Sequence, residues 1–232
     1  MIAFMKSGFK FSNMKATLVY DETFELDDID NIVVNVKSSD INIYEYAGKE
    51  INVTIYSDKK DKISVNKNGN ELVVNNKQKS PVCFGFCFGN RKIDIYVPKE
   101  YEGKFTIDAT SGDIKSDLET YNDYKIKVTS GDIKIDKVKS LSGRATSGDI
   151  EIKEINSSIN FKTTSGDIEI DIFDAKADSS IKVTSGDVEI NKLTNAYVDA
   201  SAKSGDIKVK NNDRHAPYEL TIKTTSGDVE VN

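Results

Sequence analysis

The tetrapeptide Thr-Ser-Gly-Asp recurs through the C-terminal half of the chain, with its glycine at Gly112, Gly131, Gly148, Gly166, Gly186, Gly205 and Gly227. The intervals are 19, 17, 18, 20, 19 and 22 residues, and one copy carries Lys203 in place of Thr. A unit of that length cannot close a core alone, so neighbouring copies must stack and bury a continuous one. No other property of the chain restricts its fold as much.

The flanks repeat with the corner. Ile114, Ile133, Ile150, Ile168, Val188, Ile207 and Val229 stand two residues after each glycine, and apolar residues follow two further on except at Ser116. Upstream, apolar residues sit seven, five and three before the glycine, as in Tyr124, Ile126 and Val128, with Lys125 and Lys127 between them. This is the period-two alternation of strands with one buried face. Crossing the corner shifts the inward parity by one residue, so the Ser-Gly-Asp segment must absorb a bend, which glycine does at positive φ without a Cβ clash. A degenerate copy, Ile32, Val34, Val36, Ser38-Ser39-Asp40, Ile41, Ile43, places Ser39 where glycine is expected. Between it and Gly112 lie strand-like runs around Val53, Val65, Val74 and Ile95 with an Asn68-Gly69 turn.

These features predict an all-β, single-domain parallel β-solenoid, a right-handed β-helix with a less regular N-terminal part. Residues 1–30 form an N-terminal extension and lead-in strand, residues 31–232 the solenoid, and residues 105–232 its regular rungs. An antiparallel β-sandwich is the alternative, but it would not require the same tetrapeptide at every other connection.

Composition bounds the function. Thirty-two basic and thirty-eight acidic residues give a net charge of −6, against a basic nucleic-acid footprint. One histidine, His215, and two cysteines, Cys83 and Cys87, leave little for metal or nucleophilic chemistry, and acidic residues occur in every rung, so no catalytic pair stands out. The expectation is no enzyme and no cofactor. Lys6 and Lys10 interrupt the apolar start, and no run of eighteen uncharged apolar residues follows. A cytoplasmic or peripherally membrane-associated protein is expected, starting at Met1 or Met14.

Stacking predicts several rows. Asp113, Asp132, Asp149, Asp167, Asp187, Asp206 and Asp228 would form a corner-capping ladder, a calcium-binding row being the sharper alternative. Four residues before each glycine, Lys127, Arg144, Lys162 and Lys182 form a candidate stripe for an anionic ligand, with Asp108, Ser201 and Lys223 in the same row. The threonines two before each glycine form a third row. Cys83-Phe84-Gly85-Phe86-Cys87-Phe88 breaks the alternation. It reads as a plug over the core, or as a hydrophobic tip in which Phe84, Phe86 and Phe88 touch a protein partner or a membrane surface. The final copy stops at Val231-Asn232 with nothing to cap it, which invites a homodimer through that rung.

The Thr-Ser-Gly-Asp-Ile/Val corner, preceded by Ile93-Asp94-Ile95-Tyr96-Val97-Pro98, resembles the bacterial "putative adhesin" β-strand-repeat family of unknown function (YvlB/LiaX-like), from about residue 30 to the end. The resemblance implies a β-solenoid without known catalytic residues, linked in some members to cell-envelope stress or surface association. Two functions follow as expectations: a non-catalytic interaction scaffold for a protein or envelope component, or a carbohydrate-binding or carbohydrate-active β-helix.

Overall fold

The computed structural model describes residues 17–57, 63–76 and 91–232. Apart from the 3-10 turn Leu26–Asp28, its regular structure is strand. Each repeat is a strand, a corner and a second strand, and copies adjacent in the stack pair in parallel, equivalent residue on equivalent residue. Ile107 faces Ile126 across one ladder, and Ile114 faces Ile133 across the other. The strands before the corners build one face, here the leading face, and those after the corners build the trailing face. Ile133–Ser147 and Ile150–Ser165 each run unbroken from the trailing face of one rung to the leading face of the next.

The inward residues of both faces interdigitate in one core. Ile126, Ile133, Ile150, Phe161, Ile168 and Ile181 are all buried, each worth roughly 1.5–3 kcal/mol on burial. Ser116, the exception to the apolar pattern, is also buried, and its hydroxyl lies 2.7 Å from that of Tyr124. Tyr124 stacks on Phe105 with ring centroids 4.9 Å apart. A polar residue on the trailing face therefore partners a buried tyrosine that reaches across from the leading one.

The corner needs glycine for two reasons. Gly166 has φ +120°, and a Cβ there would lie 2.1 Å from the carbonyl oxygen of Gly148 in the adjoining rung. The same approach recurs at every copy, so the glycines form a close-packed backbone column. Ser39 takes the glycine's place in the rung that adjoins Gly112's, pairs in register with it, and does not have a positive φ.

Two expectations need correction. The stack is not parallel throughout. The rung Asn31–Ser38 and Asp40–Tyr46 pairs in parallel with Lys104–Ser111 and Ile114–Asp117. On its other side Glu71–Asn75 and Lys92–Pro98 continue the parallel stack, but they pair antiparallel with Ser64–Asn68 and Glu50–Ser57, and Thr17–Glu25 pairs antiparallel with Glu50–Ser57. The short Asn68-Gly69 turn forces antiparallel pairing. The sheet is mixed.

The C-terminal rung is also not at the end. Tyr218–Ser226 pairs with Ser179–Ser185 on one side and Ala196–Ser204 on the other, and Val229–Val231 lies between Val188–Ile190 and Ile207–Val209. The chain skips a rung, builds the outermost one, and returns to fill the gap. Burial explains the order. Leu220, Ile222, Val229 and Val231 are 0–1% exposed in the inserted rung, whereas the outermost rung offers Ala200 and Ala202 and leaves Ile207 42% exposed. The open edge expected at residue 231 therefore lies on Ala196–Val209. Asn212, in the return loop, covers part of it: its side chain accepts from the Val198 N–H at 2.8 Å and donates to the Val198 carbonyl at 3.0 Å, as a further strand would.

Candidate interaction faces

Alternation along the strands sends every second residue to solvent, and parallel registry lines these residues up across rungs at about 4.8 Å. The stripe residues Lys127, Arg144, Lys162 and Lys182 all face outward from the leading face, in that order. Because the last rung is inserted, Lys223 follows Lys182 directly and Ser201 moves to the outer end. The row is five cations without interruption. Lys127 is held by Asp108 at 3.0 Å. No ion pair is formed by Arg144, Lys162, Lys182 or Lys223 among the described residues. Beside it, nearer the corner, runs a row of exposed threonine hydroxyls from Thr110 to Thr225.

The corner aspartates form a continuous hydrogen-bonded ladder. The Asp113 N–H donates to Asp40 at 3.2 Å, Asp132 to Asp113 at 3.0 Å, Asp149 to Asp132 at 3.0 Å and Asp167 to Asp149 at 2.9 Å. Asp187 donates to Asp167 at 2.8 Å, Asp228 to Asp187 at 2.7 Å and Asp206 to Asp228 at 2.7 Å. Each carboxylate from Asp40 to Asp228 thus has one oxygen committed to a backbone donor of the next rung. Carboxylates ~4.8 Å apart repel by only ~0.9 kcal/mol in a water-like dielectric, which a charge-assisted hydrogen bond offsets. No group of three or more metal-ligating side chains occurs among the described residues.

The trailing face carries an acidic row that the repeat motif did not draw attention to. Three residues after the corner glycine stand Glu151, Glu169, Glu189 and Glu230, consecutive across the stack. Glu151 holds Lys134, whose ammonium that hydrogen bond raises above the usual lysine range. Lys210 lies 3.7 Å from Glu230. Glu169 and Glu189 form no ion pair among the described residues. The sequence signal was available: a glutamate sits seven residues after each of Arg144, Lys162, Lys182 and Lys223.

Phe84, Phe86 and Phe88, with Cys83 and Cys87, lie outside the described residues. His215 sits exposed in the return loop, its N–H donating to Asp213 at 2.9 Å. A depression of about 390 Å³ beside Leu26, Tyr101 and Asp123 holds no histidine or cysteine. No helix among the described residues is long and apolar enough to cross a membrane.

A family model described as Toastrack DUF4097 matches residues 29–232. Among solved structures, a "putative adhesin" from Parabacteroides distasonis shares 13% identity over 93% of this chain and 98% of its own, with a TM-score of 0.52. A "putative adhesin" from Bacteroides fragilis shares 15% over 93% and 97%, with a TM-score of 0.45. A "putative lipid binding protein" from Parabacteroides distasonis shares 16% over 91% and 93%, with a TM-score of 0.39. No curated protein matches.

Proposed function

The chain belongs to the Toastrack DUF4097 family, and on that premise we propose that it is a non-catalytic, adhesin-like scaffold whose leading face binds an anionic polymer of the cell envelope. One observation carries this reading: five cations stand in an unbroken row, and four of them lack an acidic partner among the described residues. A rigid row at ~4.8 Å spacing concentrates positive potential that ions in solution only partly screen. The adjoining threonine hydroxyls offer donors and acceptors to sugar or phosphate oxygens. An acidic glycan fits this surface better than a small ligand, because the row is open and longer than any pocket. The scaffold is a β-solenoid coiled right-handedly, the hand that strand twist favours for parallel crossovers. Its peripheral association with the envelope would follow from the polymer.

The test is binding of a labelled polyuronate and of a neutral glucan of equal length. The expected result is salt-sensitive binding of the polyuronate alone, lost when Arg144, Lys162 and Lys182 are changed to Ser. Equal binding of both polymers, or binding that survives the triple change, would refute it.

A further inference from the structure

Beyond polymer binding, the charge distribution carries a second inference, about this chain and copies of itself. In each of four consecutive rungs a cation stands outside the leading face and a glutamate outside the trailing face. The pairs are Arg144 and Glu151, Lys162 and Glu169, Lys182 and Glu189, Lys223 and Glu230. The two rows have the same spacing because one set of ladders fixes both. They lie about equally far from the corner, four residues before the glycine and three after it. Over these four rungs the two faces therefore carry rows of opposite charge at the same repeat.

We propose that the trailing face of one copy docks on the leading face of a second, in a head-to-tail stack. In that stack each glutamate meets the cation of the corresponding rung, because the two rows occupy the same rungs and lie about equally far from the corner. The reversals at the ends fit the same registry. Asp108 on the leading face meets Lys115 of the trailing face, where the order of signs is inverted. One row further from the corner, Lys125 meets Asp136 and Asp199 meets Lys210. The single like-charge meeting is Lys127 with Lys134; Asp108 and Glu151, which hold these lysines within each copy, are there shared with the facing Lys115 and Arg144. The threonine row meets the corner aspartates, whose second oxygens can accept from hydroxyls.

The magnitude sets the expected strength. Six rung intervals of about 4.8 Å by three outward rows about 6.6 Å apart give a footprint of roughly 600 Å² per partner. That falls short of the roughly 800 Å² per partner of standard specific interfaces, and exposed ion pairs add little each. The association is therefore weak and strongly salt-dependent. A face that docks on a different face by translation does not close, so open stacks rather than dimers form. Because the leading face serves both partners, a polyanion disperses the stack.

Sedimentation velocity on the full chain tests this at two ionic strengths. At low salt the weight-average mass should rise with concentration past that of a dimer, and return to the monomer at about 0.5 M salt, where screening acts within about 4 Å. The pair Glu169→Lys, Glu189→Lys should abolish self-association and leave polyuronate binding intact, so the two readings fail separately. Lys162→Glu, Lys182→Glu should also stay monomeric. Mixing the two double variants should restore association, since the acidic leading face of one meets the basic trailing face of the other. A chain that stays monomeric at low salt and high concentration overturns the proposal. So does association indifferent to charge reversal, or a mixture that fails to associate although both variants keep the wild-type circular dichroism.

Discussion

The inserted rung makes a prediction that a stack in sequence order would reverse. Val229 and Ile207 hold the same repeat position, two residues after the corner glycine, and pair with one another. Val229 is enclosed between Val188 and Ile207 and is 1% exposed, whereas Ile207 sits at the outer end, 42% exposed. Val229→Ala removes two buried carbons, about 1.6 kcal/mol of transfer free energy, and leaves a cavity walled on both sides, for a total of about 2–3 kcal/mol. Ile207→Ala removes three carbons but opens no closed cavity, so about 1 kcal/mol is expected. Ile222→Ala, between Ile181 and Ala200, should cost about 3–4 kcal/mol. Urea unfolding followed by circular dichroism ranks the three variants, and hydrogen exchange adds a local readout. The Val229 amide, bonded to the Asp206 carbonyl at 2.9 Å, should exchange as slowly as those of the central rungs. If Ile207→Ala proves more damaging than Val229→Ala, the rungs are stacked in sequence order and the reasoning fails.

Other outcomes follow from the corner and the core. Gly166→Ala combines backbone strain of about 1–3 kcal/mol with a 2.1 Å contact to the Gly148 carbonyl that only separating two rungs can relieve. It should lower the urea midpoint far more than Gly69→Ala, whose Cβ would meet nothing within 4 Å. Asp149→Ala should cost about 1 kcal/mol through loss of the acceptor for the Asp167 N–H, and Asp149→Asn, which keeps that acceptor, should recover most of it in the same assay. Calcium or chelator at about 1 mM should not move the melting temperature of the wild type, because the ladder is already engaged with backbone donors. Burial pushes the Tyr124 hydroxyl well above its ordinary pKa, with the Ser116 hydrogen bond opposing the shift. The stability it contributes is complete below about pH 10 and is lost as the pH rises from there toward the folded-state value. A pH series of urea midpoints should show that alkaline loss and a flatter limb for Tyr124→Phe.

What repeats in the sequence could be read from it, and what distinguishes the copies could not. The corner glycines, the aspartate ladder and the inward columns follow from local chemistry that every rung shares. The order of the rungs does not, because copies with the same tetrapeptide and the same alternation can pair with one another in any sequence. The signal that could have found the order was the quality of the inward residues. The 196–209 copy carries Ala200 and Ala202 and has Lys203 in place of threonine, so it has the least to lose at an exposed end. Ser116 was likewise visible as an exception, but its reason, the Tyr124 hydroxyl, lies on the opposite face. The antiparallel pairing of 17–25 with 50–57 depends on contacts about 30 residues apart, and no periodicity reports on such contacts.

The inserted rung and the charged faces are one feature. In sequence order, Ser201 would separate Lys182 from Lys223 on the leading face, and Lys208 would separate Glu189 from Glu230 on the trailing face. Both rows would be broken at the same rung. Insertion moves both interruptions to the outer end at once and joins the cations and the glutamates into unbroken series. Apolar burial favours this order, since Leu220 and Ile222 gain more from the interior than Ala200 and Ala202 would. Like charges ~4.8 Å apart oppose it, by only ~0.9 kcal/mol per exposed neighbour pair. A row uniform in charge is thus held by core packing against its own weak repulsion. A bound polyanion or the opposite face of another copy would relieve that repulsion, so either partner should stabilise the inserted order as well as occupy the face.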